Sequence, residues 1–285
     1  MTLPERRRGD RFPHLDLRED LPWDDVIVSV VIPCYNELAT VETLLRAVRA
    51  VRLNFEVIVV DDGSTDGTRE LLARLEEEGV IDTLVFHPVN RGKGAALRTG
   101  FDHAGGDVVV VQDADLEYDP AEIPLLLAPI LEGKADAVYG SRFLGGLPHR
   151  VLYFWHSVGN RLLTLLSNVF TDINLTDMET CYKMVRRELL QALPLTSERF
   201  GIEPELTARL AQARARIYEL PISYDGRSYA EGKKIGWRDG VEAFWCIVKF
   251  NLLSPDAPEW RAPEVPSWEA RKGLRATTEP ERADA

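Results

Sequence analysis

Cysteine is scarce in this sequence, and its three cysteines stand far apart. Cys34, Cys181 and Cys246 form no closely spaced pair. Three widely spaced cysteines without a CxxC pair indicate neither a disulfide framework nor a structural zinc site. This sparse use of cysteine fits a protein that works in a reducing cytosol.

Positive charge is also in short supply. The chain has 34 Lys and Arg residues against 46 Asp and Glu residues, which gives a formal net charge of -12. Nucleic acids attract proteins through an excess of Lys and Arg, so this balance argues against a nucleic-acid partner. Local basic segments can still bind the phosphates of a small ligand.

Long apolar runs are absent as well. The longest nearly unbroken run, Phe244 to Leu253, is interrupted by Lys249, and it is far shorter than the roughly 20 residues that span a bilayer. The first 25 residues contain no apolar segment of the kind that directs secretion. We therefore expect a cytoplasmic protein whose contact with the inner face of the cell membrane, if it has one, is peripheral.

The distribution of apolar residues predicts one α/β domain between two polar ends. Residues 1–25 and 254–285 are predicted to be tails, the second of them disordered. Between them, predicted strands alternate with predicted helices, which indicates a doubly wound, mostly parallel sheet with helices on both faces. Ligands bind such sheets at the carboxyl ends of the strands. The predicted strands are 26–32, 56–60, 83–86, 108–111 and 135–139, and the predicted helices between the first four are 39–51, 68–78 and 94–103.

Polar motifs directly follow the first two predicted strands. The first reads PCYNE from Pro33 to Glu37, and the second reads DDGSTDGT from Asp61 to Thr68. Strand-to-helix turns select Asp, Gly, Ser and Thr in any case, so the second motif could be no more than a turn and a helix cap. The functional alternative is that these carboxylates accept hydrogen bonds from the base and ribose of a nucleotide. The candidate nucleotide-binding residues are Pro33, Tyr35, Asn36, Glu37, Asp61, Asp62, Gly63 and Ser64.

A glycine-rich loop, Asn90-Arg91-Gly92-Lys93-Gly94, precedes the third predicted helix. Its backbone N–H groups and Lys93 are suited to a diphosphate. The spacing is not that of the GxxxxGK[ST] loop of P-loop ATPases, which disfavours that function.

The fourth predicted strand ends in Gln112-Asp113-Ala114-Asp115. Carboxylates two residues apart in an extended chain point to the same side. Next to a phosphate, such a pair suits Mg²⁺ or Mn²⁺, which complete their coordination shell with phosphate oxygens and water. A surface turn would also explain the motif, but its place at the end of a buried strand favours the metal site.

Taken in order, these four motifs resemble the family 2 glycosyltransferases of the GT-A type, and especially the dolichol- or polyprenol-phosphate sugar synthases. The resemblance covers residues 28–253 or so, and it implies a donor-binding half (26–143) and an acceptor- and membrane-facing half (144–253). It further implies that Asp113 and Asp115 ligate Mg²⁺ or Mn²⁺, with Ala114 also at the donor. The implied reaction is an inverting transfer of a sugar from UDP-glucose or GDP-mannose to a polyprenyl phosphate.

The second half of the chain contributes further candidates. By the same resemblance, Arg142 approaches the donor or acceptor phosphate and Asp177 lies near the sugar, although an ion pair at an element end is the alternative for each. Glu203 either points into the cleft or complements a helix N-terminus. Arg227, Lys233 and Lys234 form a basic loop that either binds phosphates or is merely solvated. The candidate catalytic residues are therefore Asp115, Asp177, Glu203 and Arg142.

Residues 151–170 carry an apolar stripe at helical spacing. Core packing is the common explanation of such a stripe. Tyr153, Phe154 and Trp155, next to Arg150 and close to His149 and Arg161, favour instead a helix at the headgroup boundary of a membrane.

Two other functions remain open from the sequence. A hydroxyl acceptor on a glycan, a lipid or a small molecule would need a general base, for which Asp177, Glu179 and Glu203 are the candidates, whereas a phosphate acceptor is already ionised. A non-catalytic sugar-nucleotide-binding protein is disfavoured by the intact Asp113 and Asp115. A nucleotidyltransferase is disfavoured because the first strand is followed by PCYNE rather than by a glycine- and arginine-rich loop.

Overall fold

The computed structural model of the protein describes residues 20–145, 150–151, 153–227 and 237–271. Within these ranges, strands and helices alternate as the sequence predicts. The strands are β1 (Ile27–Cys34), β2 (Asn54–Asp61), β3 (Thr83–Phe86), β4 (Val108–Val111), β5 (Ala137–Ser141), β6 (Lys183–Arg186) and β7 (Ile217–Pro221). The helices are α1 (Val41–Ala50), α2 (Thr68–Glu77), α3 (Lys93–His103), α4 (Ile123–Leu131), α5 (Phe154–Thr171), α6 (Arg187–Ala192), α7 (Ile202–Gln212) and α8 (Trp237–Val248), and a π-helical turn (Lys249–Leu253) extends α8.

In the described part of the chain, seven strands form one sheet in the order β3-β2-β1-β4-β6-β5-β7. β6 runs antiparallel to both of its neighbours, β4 and β5, and the other pairs are parallel. All strands except β6 therefore point the same way, and their carboxyl ends share one edge. This confirms the predicted doubly wound, mostly parallel fold.

Burial on both faces explains why the strands read as continuous apolar runs. β4 consists of four valines, all buried, and Val57 to Val60 of β2 are fully buried. The helices bury one stripe each; α1 buries Val41, Leu44, Leu45 and Val48, the i, i+3, i+4, i+7 spacing of an amphipathic helix. β1 continues two residues beyond its predicted end, because Pro33 and Cys34 stay in register with Val60 and Asp61 of β2.

The described part of the C-terminal segment is not a tail. Residues 254–271 pack back onto the domain: Trp268 is only 2% exposed, and Arg271 pairs with the buried Asp107 beside the amino end of β4. The backbone N–H of Trp260 donates to the carbonyl of Ala213 at 2.8 Å. The expectation of a disordered tail from residue 254 is therefore wrong as far as residue 271, because a few well-placed aromatic residues outweigh a polar average composition.

The N-terminal boundary shifts for the same reason. Trp23 is 4% exposed and belongs to the hydrophobic core, so the domain begins before residue 26. The predictions for residues 1–19 and 272–285 lie outside the described residues.

None of the helices in the described part of the chain is long and apolar enough to cross a membrane.

Candidate active site

The carboxyl edge of the sheet brings the predicted motifs together. Residues after β1, β2 and β4 meet there, because these three strands are adjacent and parallel. The segments that follow β5 and β7 reach the same edge, since both strands run in the same direction. The donor motifs and the candidate residues of the second half therefore share one site.

Interlocking hydrogen bonds join the first two motifs. The N–H of Asn36 donates to Ser64 Oγ at 2.9 Å, and the N–H of Thr65 donates to Asn36 Oδ1 at 2.8 Å. Asn36 takes the left-handed conformation with φ of 53°, which Asn tolerates better than most residues. Asn36 and Ser64 thus fix the two loops against each other.

Asp61 is fully buried at the end of β2. Its Oδ2 accepts from the N–H groups of Gly63 and Ser64, both at 3.2 Å. Its Oδ1 is also buried and has no hydrogen-bond partner among the described residues. Because an unpaired buried acceptor is costly, Asp61 has spare capacity for a ligand donor such as a nucleotide base.

Asp62, in contrast, is fully engaged inside the protein. Its Oδ1 lies 2.7 Å from His87 Nδ1 and accepts from the N–H of Arg91 at 2.9 Å, and its Oδ2 accepts from the N–H of Gly92 at 2.7 Å. A direct contact with a donor would have to break these bonds. The geometry assigns Asp62 to shaping the glycine-rich loop rather than to facing the nucleotide.

Lys93 begins α3 and bridges two carboxylates. Its Nζ lies 2.9 Å from Asp113 Oδ1 and 3.1 Å from Glu203 Oε1. Burial, the largest influence, lowers the pKa of Lys93, but the charges of Asp113 and Glu203 outweigh it, so the net pKa lies above the ordinary lysine value. Lys93 is therefore a permanent cation directly beside the predicted metal ligand Asp113.

Asp115 is the centre of a second charged cluster. Its Oδ2 lies 2.7 Å from the guanidinium of Arg227. Burial, reinforced by the negative charges of Asp113 and Glu117, raises the pKa of Asp115 to about 7, although Arg227 opposes the shift. The site thus concentrates negative charge where the sequence predicts a metal.

Three further ionisable residues of the site, Glu179, Lys183 and Glu203, are buried. Burial raises the pKa of Glu179 to about 7, helped by the charge of Glu203, and burial lowers the pKa of Lys183. Glu179 Oε1 and Glu203 Oε2 are buried without a hydrogen-bond partner in the described part of the chain. Glu203 contacts Lys93, not open solvent, so its geometry is that of a supporting residue.

Arg142 and Asp177 form a buried ion pair. Arg142 Nε lies 2.6 Å from Asp177 Oδ2, and one terminal nitrogen of Arg142 lies 2.8 Å from Oδ1. Asn160 Nδ2 also donates to Oδ1, at 3.1 Å. Asp177 is fully buried, with both oxygens engaged. This contradicts the expectation that Asp177 could serve as a general base; it holds Arg142 in place instead.

The predicted metal ligands fit a divalent cation, although no group of three or more His, Cys, Asp or Glu side chains in the described ranges is arranged to hold one. Asp113 and Asp115 are partly exposed, and each is neutralised by a protein cation. Burial is the main cause of the raised pKa of Asp115, and the negative charge of Asp113 adds to it. Mg²⁺ and Mn²⁺ need only one or two protein carboxylates when phosphate supplies further oxygens.

Sequence reasoning missed one central residue, Glu117. It accepts from the hydroxyl of Tyr224 at 2.6 Å and from the backbone N–H of Arg227 at 2.9 Å. The signal was present in the sequence, because Asp113, Asp115 and Glu117 alternate. Lys233 and Lys234 lie outside the described residues.

The fold and this site define a class, the GT-A glycosyltransferases. A sequence profile described as "Glycosyl transferase family 2" matches residues 29–193, more than half of the chain. The protein belongs to glycosyl transferase family 2.

Two sugar transferases are among the proteins with similar sequences. The undecaprenyl-phosphate 4-deoxy-4-formamido-L-arabinose transferase of Aeromonas hydrophila is 33% identical over 217 residues, which cover 74% of this chain and 63% of that protein. The low-salt glycan biosynthesis hexosyltransferase Agl6 of Haloferax volcanii is 32% identical over 240 residues, which cover 83% of this chain and 55% of that protein. The chain thus spans less than two thirds of the length of these relatives.

A solved structure shows the same fold. The glucosyl-3-phosphoglycerate synthase of Mycobacterium tuberculosis, crystallised with Mn²⁺, UDP and phosphoglyceric acid, superimposes with a TM-score of 0.63 at 23% identity. The match covers 81% of this chain and 80% of that chain.

Proposed function

We propose that this protein transfers a sugar from a UDP- or GDP-sugar to a polyprenyl phosphate in a reaction that depends on Mg²⁺ or Mn²⁺. The observation that carries the proposal is the placement of Asp113 and Asp115 after β4, at the carboxyl edge of the sheet, where Lys93 pairs with Asp113 and Arg227 pairs with Asp115. Two features support the donor class and the metal: the fold shared with an enzyme crystallised with UDP and Mn²⁺, and the charge of the site. The relative that uses undecaprenyl phosphate supports the acceptor.

The roles of the residues follow from their chemistry. Asp61 would accept a hydrogen bond from the base through its free Oδ1. Asp113 and Asp115 would hold the divalent ion, which when bound neutralises the charge that builds up on the departing diphosphate. Lys93, fixed between Asp113 and Glu203, adds a permanent positive charge on the same side. These residues would stabilise the leaving group more than the bound donor, which is what accelerates transfer.

The engaged state of Asp177 favours a phosphate acceptor. A hydroxyl acceptor would need a free carboxylate as general base. Both oxygens of Asp177 are bonded, and Glu203 Oε1 contacts Lys93. Among the three candidate bases, the only buried oxygens without a partner in the described chain are therefore Glu179 Oε1 and Glu203 Oε2. A phosphate monoester is already ionised near neutral pH, since its second pKa is near 6. It can attack the anomeric carbon without a protein base.

Two apolar helix faces support a peripheral position at a membrane. On α5, residues spaced as one helical face are exposed, and Leu163, Leu166 and Phe170 on its other side pack against the core. α8 packs against α5 and exposes Val241, Phe244 and Trp245. Large exposed apolar patches are unusual on soluble monomers and mark interaction surfaces, and Arg150 and Arg161 are exposed nearby. The exposed face of α5 consists of Phe154, Trp155, Val158, Leu162, Leu165 and Val169.

The test of the reaction is transfer of labelled sugar from a panel of UDP- and GDP-sugars to polyprenyl phosphate with Mg²⁺ or Mn²⁺. We expect lipid-linked product from the wild type and from Arg46→Gln, since Arg46 pairs with Glu42 and Glu78 on the surface. Asp115→Asn should yield no product. A lipid product from Asp115→Asn at the wild-type rate would contradict the metal site. Donor binding without lipid product would reject the polyprenyl phosphate acceptor and favour a hydroxyl acceptor.

The test of the membrane face is sedimentation with vesicles of phosphatidylcholine and phosphatidylglycerol. Replacing Trp155 and Leu162 by Ser removes two side chains that are 78% and 63% exposed, so we expect binding to fall while the fold is retained. Val265→Ser, at a residue 54% exposed on the C-terminal segment, is the control and should bind as the wild type does. Equal loss in both variants would count against the α5 face.

A further inference from the structure

Each of the two predicted metal ligands forms an ion pair with a protein cation: Asp113 with Lys93, and Asp115 with Arg227. The two cations are positioned in different ways. Lys93 is the first residue of α3, and its Nζ also pairs with Glu203. Arg227 belongs to the segment after β7, which has no helix or strand at that position. Lys93 is therefore part of a regular element, whereas Arg227 lies outside the helices and strands of the described residues.

Arg227 contacts carboxylates from two separate motifs. Its guanidinium lies 2.7 Å from Asp115 Oδ2, 3.3 Å from Glu117 Oε1 and 3.4 Å from Glu37 Oε2. Its side chain is 21% exposed, so solvent can still reach the cluster. The guanidinium thus engages Asp115 Oδ2, one of the two carboxylate oxygens through which Asp115 could ligate a divalent ion.

Glu117 holds the loop in this position. Its carboxylate accepts from the backbone N–H of Arg227 and from the hydroxyl of Tyr224, and its backbone carbonyl accepts from the N–H of Asp225 at 3.0 Å. The placement of Arg227 on Asp115 is therefore supported by backbone contacts and is more than a chance approach of a long side chain.

We propose that Arg227 and the divalent cation compete for Asp115, so that the metal binds tightly only after a nucleoside diphosphate draws Arg227 away. This proposal rests on the proposed function and names a regulation of the same site. An arginine cannot leave by losing its proton, so it must move. The diphosphate offers it a second anionic partner of suitable geometry, because a guanidinium binds phosphate through two parallel hydrogen bonds.

The competition predicts how the apparent affinity for the metal changes when a nucleotide is bound. If Asp115 is available to the metal only in the fraction of molecules in which Arg227 has moved, the apparent affinity without nucleotide is reduced by that fraction. By linkage, the nucleotide strengthens metal binding by the same factor by which the metal strengthens nucleotide binding. A residue that only binds phosphate would leave the affinity for metal alone unchanged.

The experiment measures Mn²⁺ binding by electron paramagnetic resonance, without any sugar donor or acceptor, in the wild type, Arg227→Gln, Arg227→Lys and Arg46→Gln. We expect Arg227→Gln to bind Mn²⁺ about tenfold more tightly than the wild type, the effect of losing one partly exposed ion pair. Arg227→Lys, which keeps the charge but loses the fork, should lie between them. Arg46→Gln removes the same charge at a distance and should bind as the wild type does.

A second arm adds UDP or GDP at saturation. Nucleotide should tighten Mn²⁺ binding strongly in the wild type and much less in Arg227→Gln, because no arginine remains to be displaced. Circular dichroism of each variant shows whether it is folded, and if Arg227→Gln does not fold, Arg227→Lys decides the question. Binding of Mn²⁺ that is equal or weaker in the folded variants, including the case in which no protein binds it, overturns the proposal. The transfer assay with Asp115→Asn tests the proposed function independently, since it does not depend on how Arg227 behaves.

Discussion

The buried pair of Arg142 and Asp177 gives the sharpest prediction about stability. Asp177 is fully buried and accepts four hydrogen bonds, from Arg142 Nε, a terminal nitrogen of Arg142, the Arg142 backbone N–H and Asn160. Replacing Asp177 by Leu leaves the guanidinium, whose side chain is 13% exposed, without its counter-ion. Breaking a buried pair in this way costs about 3 to 5 kcal/mol.

Comparing the single variants with the double variant distinguishes the interaction between Arg142 and Asp177 from the separate contribution of each side chain. Arg142→Met should destabilise the protein by a similar amount, because it leaves Asp177 buried and charged. The double variant, Arg142→Met with Asp177→Leu, should be less destabilised than the sum of the two single variants by at least about 2 kcal/mol, since no unpaired charge remains. The exposed Arg46→Gln should leave stability nearly unchanged, because its partners Glu42 and Glu78 are also exposed.

The assay is urea denaturation followed by circular dichroism at constant pH. A destabilisation below about 1 kcal/mol in Asp177→Leu, or additive effects of the two single changes, would refute the reasoning. The first result would mean that Asp177 is replaceable as the partner of Arg142. The second would mean that the two side chains stabilise the protein independently of each other.

Three further predictions concern Trp268, Glu179 and Gly63. Trp268→Ala should lower the free energy of unfolding by about 3 kcal/mol, because the ring is buried, whereas the exposed Val265→Ala should have little effect. Equal urea midpoints for the two variants would indicate that the segment around Trp268 is a tail after all. Glu179→Gln removes a carboxyl whose pKa burial raises to about 7. Since a raised carboxyl pKa makes ionisation costly in the folded state, the wild type should lose roughly 1 to 3 kcal/mol relative to Glu179→Gln as the pH rises from 5 to 8; parallel stability profiles would contradict this. Gly63→Ala should weaken nucleotide binding and destabilise the loop, because Gly63 has φ of +79° and a Cβ would lie 2.7 Å from the backbone N of Asn90; unchanged affinity in nucleotide titrations would argue against this close contact.

Much of the fold was predictable because its signals are local. The four valines of β4 and the apolar runs of β1 and β2 are typical of strands buried on both faces, and the bounds of β3 and β4 match their predictions. The order of motifs predicted that the first, second and fourth motifs meet at one edge of the sheet, since parallel strands bring their carboxyl ends together. The antiparallel β6 was not predicted, because its direction depends on how the chain returns to the sheet between β4 and β5.

Side-chain pairing was decided by the tertiary structure. The sequence placed Asp62 and Asp177 among the ligand-binding candidates, but the fold surrounds Asp62 with the N–H groups of Arg91 and Gly92 and places Asp177 against Arg142. A carboxylate is the same residue type in either role, so only its partners distinguish a free acceptor from a buried counter-ion. Glu203 changed in the same way, from a possible base to a partner of Lys93.

The sequence by itself determined the class of fold and the place of the candidate motifs along it, because hydrophobic periodicity and motif spacing follow from neighbours along the chain. The tertiary structure decided that Arg227 lies on Asp115 across 112 residues, that Trp268 belongs to the core, and that the stripe on α5 faces outward. These features depend on contacts between distant segments. Burial and ion pairing are properties of the folded surface, and no local pattern in the sequence specifies them.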